Sequence, residues 1–144
     1  MVVIGVASES ACLGLVDAIP AHCAAPATGT QLFNDWSSCC NTALSFSSRW
    51  KPAVRILEAI KKALRGKGKG EQWQQWWEMV LGSLVSLGEA VRVSRNAAAH
   101  DHDRVFSKAE AALLLSAMPT QLEMVVRLTE FLQSPPQGLA PLKI

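Results

Sequence analysis

A chain of 144 residues, about half of them hydrophobic and 18% charged, is long enough to bury the core of one domain and too apolar to be disordered over its body. Its formal net charge is only +2, yet eight basic residues fall between Arg49 and Gly70 against Glu58 alone, so the rest of the chain is net acidic. That local stripe says more about partners than the total does.

The opening stretch is apolar, but it lacks a positively charged start, and Glu9 and Asp17 interrupt it. These features argue against a signal peptide and against a membrane span. Val2 to Ile19 instead reads as a core helix, with Val3, Val6, Ala7, Ser10, Leu13 and Asp17 on one side and Pro20 as its end. A helix starting at the first residue suggests a fragment or a shortened domain of something longer. Ala21 to Thr30 reads as a loop. Gln31 to Phe46 is a second, serine-rich helical candidate, with Leu32, Trp36, Cys39, Cys40, Ala43 and Leu44 apolar. Cys12, Cys23, Cys39 and Cys40 include no C-x-x-C pair, which leaves no recognised metal spacing. They are expected to be reduced thiols, mostly buried, in a cytoplasmic protein.

Ser47-Ser48 punctuates the chain, and Pro52 suits the first turn of a third helix running to about Arg65. Val54, Leu57, Ile60 and Leu64 form its inward stripe, with Arg55, Lys62 and Arg65 off it. Gly66-Lys-Gly-Lys-Gly70 makes a cationic loop. A long fourth helix, about Glu71 to Ala99, places Trp73, Trp77, Val80, Leu81, Leu84, Leu87 and Val91 in the core, and Gly88 relieves crowding there. Ser107-Lys-Ala-Glu110 is a capping box that starts a fifth helix, with Phe106 and Ala111 as its hydrophobic staple. Pro119 is expected to kink or break it before Leu132. No strand-period segment and no internal repeat occurs. The chain is therefore expected to be all-α, an antiparallel bundle of about five helices over residues 1–133, with 134–144 a flexible tail.

Arg92-Val-Ser-Arg-Asn-Ala-Ala-Ala-His100 closes the fourth helix. On a helix, Arg92, Asn96 and His100 share one face, with Arg95 about 100° round from Asn96. A fixed cation, an amide and a group that titrates near neutrality lie close together, with no carboxylate between them in the sequence. Such a patch suits a phosphodiester. Spacing alone is a weak signal, and a solvated helix end with cations near its C-terminal dipole is the plainer reading.

In this context the chain resembles the HEPN superfamily of small helical bundles, whose signature of Arg, a polar residue and a nearby His is seen here as R-N-A-A-A-H. The opening V-I-G-V-A-S-E-S-A is similar to the family's first helix with its inward acid, here Glu9. The F-S-K-A-E-A-A-L-L-L stretch is similar to its closing helix. His102 stands where toxin-type members often carry tyrosine, which sets this chain apart from that subtype. The resemblance implies a metal-independent, cofactor-free endoribonuclease, with two protomers bringing their motifs together at a homodimer interface through the Arg95–His100 helix. It further suggests a toxin–antitoxin or phage-defence setting, with an antitoxin or other protein as a further partner. Arg95 would bind the scissile phosphate, Asn96 would orient, and His100 would act as general acid or base. The resemblance equally accommodates a non-catalytic HEPN module that dimerises and docks a larger assembly.

Arg55, Lys61, Lys62, Arg65, Lys67 and Lys69 could hold flanking RNA phosphates, or simply form a solvated face. Glu9 is read as a buried acid paired with Arg95 or Arg92, or as an exposed charge. The Trp73, Trp76 and Trp77 cluster reads as core with one interfacial ring, ahead of base stacking. A zinc site from His100, His102, His22 and a cysteine lacks recognised spacing, so no metal is expected. No Gly-rich phosphate loop, nucleophile elbow or HExxH occurs.

Overall fold

The structure, a computed structural model, describes residues 2–65, 71–100 and 108–135, apart from the side chains of residues 2–5, 71–73, 96–100, 110, 111 and 114. The described residues form an all-α bundle of α1 (Val2–His22), α2 (Gln31–Cys40), α3 (Phe46–Leu64), α4 (Glu71–His100) and α5 (Lys108–Gln133). Cross-links fix the directions. Cys39 and Asp35 of α2 meet Arg49 and Arg55 of α3, while Trp50 and Lys61 of α3 meet Leu84 and Glu78 of α4, so each pair runs antiparallel. At one end of the bundle Ser8 touches Met118 and the adjacent Glu9 pairs with Arg95. At the other, Trp77 packs edge-on against Phe131, so α4 and α5 are antiparallel too.

α1 is the hub, in contact with all four other helices. Its sequence is apolar on nearly every side, the pattern of a helix surrounded by others. For the same reason periodicity could not say which side goes in. Cys12, Leu15, Val16 and Ile19 are fully buried, whereas Val6, Ala7, Ser10 and Asp17 of the opposite side are exposed. The helix also runs through Pro20, contrary to the expected stop. Proline forfeits one backbone bond, but the Cys23 amide still donates to the Ile19 carbonyl at 2.8 Å, and both of those side chains are buried.

Two further boundaries differ from expectation. α2 stops at Cys40 instead of Phe46, because the Asn41 side chain accepts from the Ala43 amide at 3.1 Å and turns the chain. Ser45 then caps α3 through the Ser48 amide, so α3 starts at Phe46 and Pro52 lies inside it, not in its first turn. α5 continues through Pro119 as one helix. Its proposed cap at Ser107, and the tail from residue 136, lie outside the described residues.

The expected inward stripe of α3 and the described core positions of α4 are all buried. Arg49, part of the basic run, is buried at 4% exposure and not solvated: it donates to the Cys39 carbonyl at 2.6 Å and pairs with Asp17, tying α1, α2 and α3 together. No described helix is long and apolar enough to cross a membrane.

Candidate functional site

α4 is helical without interruption to His100, so Arg92, Arg95, Asn96 and His100 ride its last turns. The side chains of Asn96 and His100 lie outside the described residues, as do Lys67, Lys69, Asp101, His102 and Asp103. Arg95 is described. Its guanidinium is half exposed and meets the Glu9 carboxylate of α1 at 3.2 Å, with Glu9 itself largely buried. Of the readings open for Glu9, the pair with Arg95 is the one observed. Arg92 instead turns back to Glu89 on its own helix at 2.8 Å.

The absence of a carboxylate between these residues in the sequence therefore gives an incomplete picture. Two acids approach from outside the stretch, one from the preceding turn and one from another helix. Neither pair contributes much to stability, because both arginines are at least half exposed and water screens them. The Glu9 contact does restrict where the Arg95 guanidinium can point, leaving its remaining donors available to an anion.

The basic stripe divides in two. Arg55 is held by Asp35 through two bonds of 2.9 and 2.6 Å. This bidentate hydrogen bonding holds the Asp35 carboxyl below its ordinary pKa and raises that of Arg55. Asp35 is almost fully buried, so Arg55 carries a charge already matched within the fold. Lys61 reaches Glu78 of α4 at 3.3 Å. Lys62 and Arg65 are exposed and have no ion-pair partner among the described residues. With Glu58, Lys61, Gln74, Glu78 and Leu81 they line a cleft of about 360 Å³ between α3 and α4. Trp77 is fully buried, and Trp76 is partly buried edge-on against it, which makes them packing residues. The side chain of Trp73 is outside the described residues.

The four cysteines are free thiols. Burial raises Cys12 and Cys39 to about 12 and Cys23 to about 11, so none of these is a nucleophile near neutral pH. No three His, Cys, Asp or Glu side chains converge on a common point among the described residues.

The chain matches no known family model, and comparisons with curated proteins and with solved structures return no match.

Proposed function

We propose that this chain is a HEPN-type, metal-independent endoribonuclease that works as a dimer. The observation that carries this reading is the ion pair between Arg95, in the R-N-A-A-A-H stretch, and Glu9, the first-helix acid that the family resemblance singles out. Those residues are 86 positions apart, and an all-α bundle with a continuous α4 brings them together. In this mechanism the RNA 2′-OH attacks the adjacent phosphorus, so neither a metal nor a protein nucleophile is required. Arg95, oriented by Glu9, stabilises the charged phosphorane. His100 takes the 2′-OH proton or protonates the 5′-oxygen leaving group, with one protomer's copy supplying each role. Asn96 orients His100 or a phosphate oxygen.

The alanines at 97 to 99 let two such helix ends approach closely. Exposed Val6 on α1 and exposed Leu113 and Leu115 on α5 offer apolar surface near the same end of the bundle. Lys62 and Arg65 hold flanking phosphates by sequence-independent attraction, Arg55 and Lys61 less so because each already has an acid. A reducing cytoplasm suits four unpaired thiols. A defence or toxin–antitoxin setting, with an antitoxin as partner, accords with such an activity.

A second reading, a non-catalytic HEPN dimerisation or interaction module, is favoured by the pairing of Arg92, Arg95, Arg55 and Lys61 with carboxylates, which lowers the net attraction for RNA. An RNA cleavage assay in EDTA separates the two. Wild type is expected to leave 2′,3′-cyclic phosphate ends, while folded, dimeric Arg95→Ala and His100→Ala lose at least a hundredfold in rate, in the range of general acid–base and oxyanion contributions. Glu9→Gln is expected to bind RNA more tightly yet cleave more slowly, since it frees the charge of Arg95 and loosens its aim. A wild type that leaves a broad RNA panel intact selects the interaction module.

A further inference from the structure

The seam between α3 and α4 carries two recesses that face the same way. Gln74, Glu78, Leu81, Val85, Gly88 and Arg92 recur at three- and four-residue spacing, so they form one stripe of α4 alongside α3. Near its far end, Phe46, Trp50, Val54, Val85 and Gly88 line a predominantly apolar recess of about 200 Å³. This is room for one large side chain and below the usual size of a cofactor pocket. The recess is preformed: Phe46 stacks on Trp50 at 5.4 Å, and the Trp50 indole N–H donates to the Leu84 carbonyl at 3.2 Å. Val85 beside it is 56% exposed, an apolar surface that nothing covers among the described residues.

Charge tells what would cover it. Lys51, on the rim of this recess, has no ion-pair partner among the described residues, while Arg55 and Arg92 there are matched by Asp35 and Glu89. Along the seam, at the cationic cleft, Lys62 and Arg65 are likewise unmatched, against Glu58 as the one unmatched acid lining it among the described residues. From Gln74 to Arg92 the stripe spans about 27 Å, the length of an amphipathic helix of five turns.

From this arrangement we infer that the α3–α4 seam is a docking groove for an acidic amphipathic helix of a partner protein. One bulky apolar side chain of that helix fills the Phe46–Trp50–Val85 recess. Its carboxylates lie over Lys51 at one end and over Lys62 and Arg65 at the other. This is helix-in-groove recognition, with the apolar anchor supplying affinity and the charges supplying direction and register. RNA phosphates would engage only the Lys62–Arg65 end of the groove, because a phosphate chain gains nothing from a predominantly apolar recess. The groove is separate from Arg95 and Glu9, and the inference stands whether or not the chain cleaves RNA.

The test uses the full isotope-labelled chain and a synthetic helical peptide of about 18 residues, the length set by the seam at 1.5 Å per residue. The peptide carries a single phenylalanine anchor near one end and glutamates flanking both recesses. Saturable amide shifts at Lys62, Val85 and Gly88 are expected. Replacing the anchor by alanine, replacing the glutamates by glutamines, and the variants Val85→Glu and Lys62→Glu/Arg65→Glu should each weaken binding at least tenfold. These positions are exposed, so the variants should keep the wild-type circular dichroism and thermal midpoint. Absence of saturable shifts, or equal affinity for the acidic and glutamine peptides, overturns the inference. Shifts along the whole seam with single-stranded RNA but not with the peptide also overturn it, and assign the groove to nucleic acid.

Discussion

The Trp50 indole lies directly over Gly88: a Cβ built on that glycine would fall 2.2 Å from the indole nitrogen and 2.4 Å from its neighbouring carbon. The ring is at the same time bonded to the Leu84 carbonyl one turn earlier, so it cannot swing away without losing a buried bond. α3 and α4 approach as closely as they do because this position has no side chain.

Two glycines of α4 should therefore respond in opposite directions to alanine. At Gly82 nothing lies within 4 Å of the built Cβ and the site is exposed, so Gly82→Ala gains helix propensity, roughly 0.5–1 kcal/mol. At Gly88 the same gain is outweighed by overpacking of about 1–3 kcal/mol, and Gly88→Ala should be destabilised on balance. Urea unfolding of both variants checks the contrast, and a Gly88→Ala as stable as Gly82→Ala would mean that the ring can relocate freely.

The Asp35–Arg55 pair makes stability depend on acid. The folded-state pKa of Asp35 is depressed, chiefly by its hydrogen bond from Arg55, so the unfolded chain binds the proton more readily. The pair's contribution is complete above the unfolded carboxyl value of about 3.9 and fades as pH falls through the lower folded value. Asp35→Asn should therefore be clearly less stable than wild type at pH 7, and the two should converge as the pH is lowered below about 4. Denaturant midpoints across that range provide the measurement. A constant gap would assign the loss to packing alone.

Thiol labelling should divide the cysteines by burial. Cys40 is exposed, while Cys12, Cys23 and Cys39 are buried with strongly raised pKa values. In the native protein at pH 8 one thiol should react with an aromatic disulfide reagent, more slowly than a free cysteine because burial also raises Cys40. All four should react in denaturant. A Cys40→Ser variant that still labels natively would show that the bundle opens locally near α1 or α2.

Helix number, the all-α class and the inward faces of α3 and α4 were legible in the chain itself, because Leu57, Ile60, Leu84 and Leu87 recur at helical spacing on otherwise polar segments. Local chemistry also sets the α2–α3 boundary, with Asn41 as the turn residue and Ser45 as the cap. What only the tertiary structure decided is which side of α1 turns inward, since an evenly apolar helix has no preferred face until its neighbours are placed. The charge balance was likewise a matter of packing. Arg49, Arg55 and Lys61 look alike as members of one basic run. Yet one is buried against Asp17, the next is clamped by Asp35, and the third reaches Glu78 on another helix. Glu9 finds Arg95 for the same reason: ion pairs form between groups that folding brings within a few ångströms, and separation along the chain does not encode that distance.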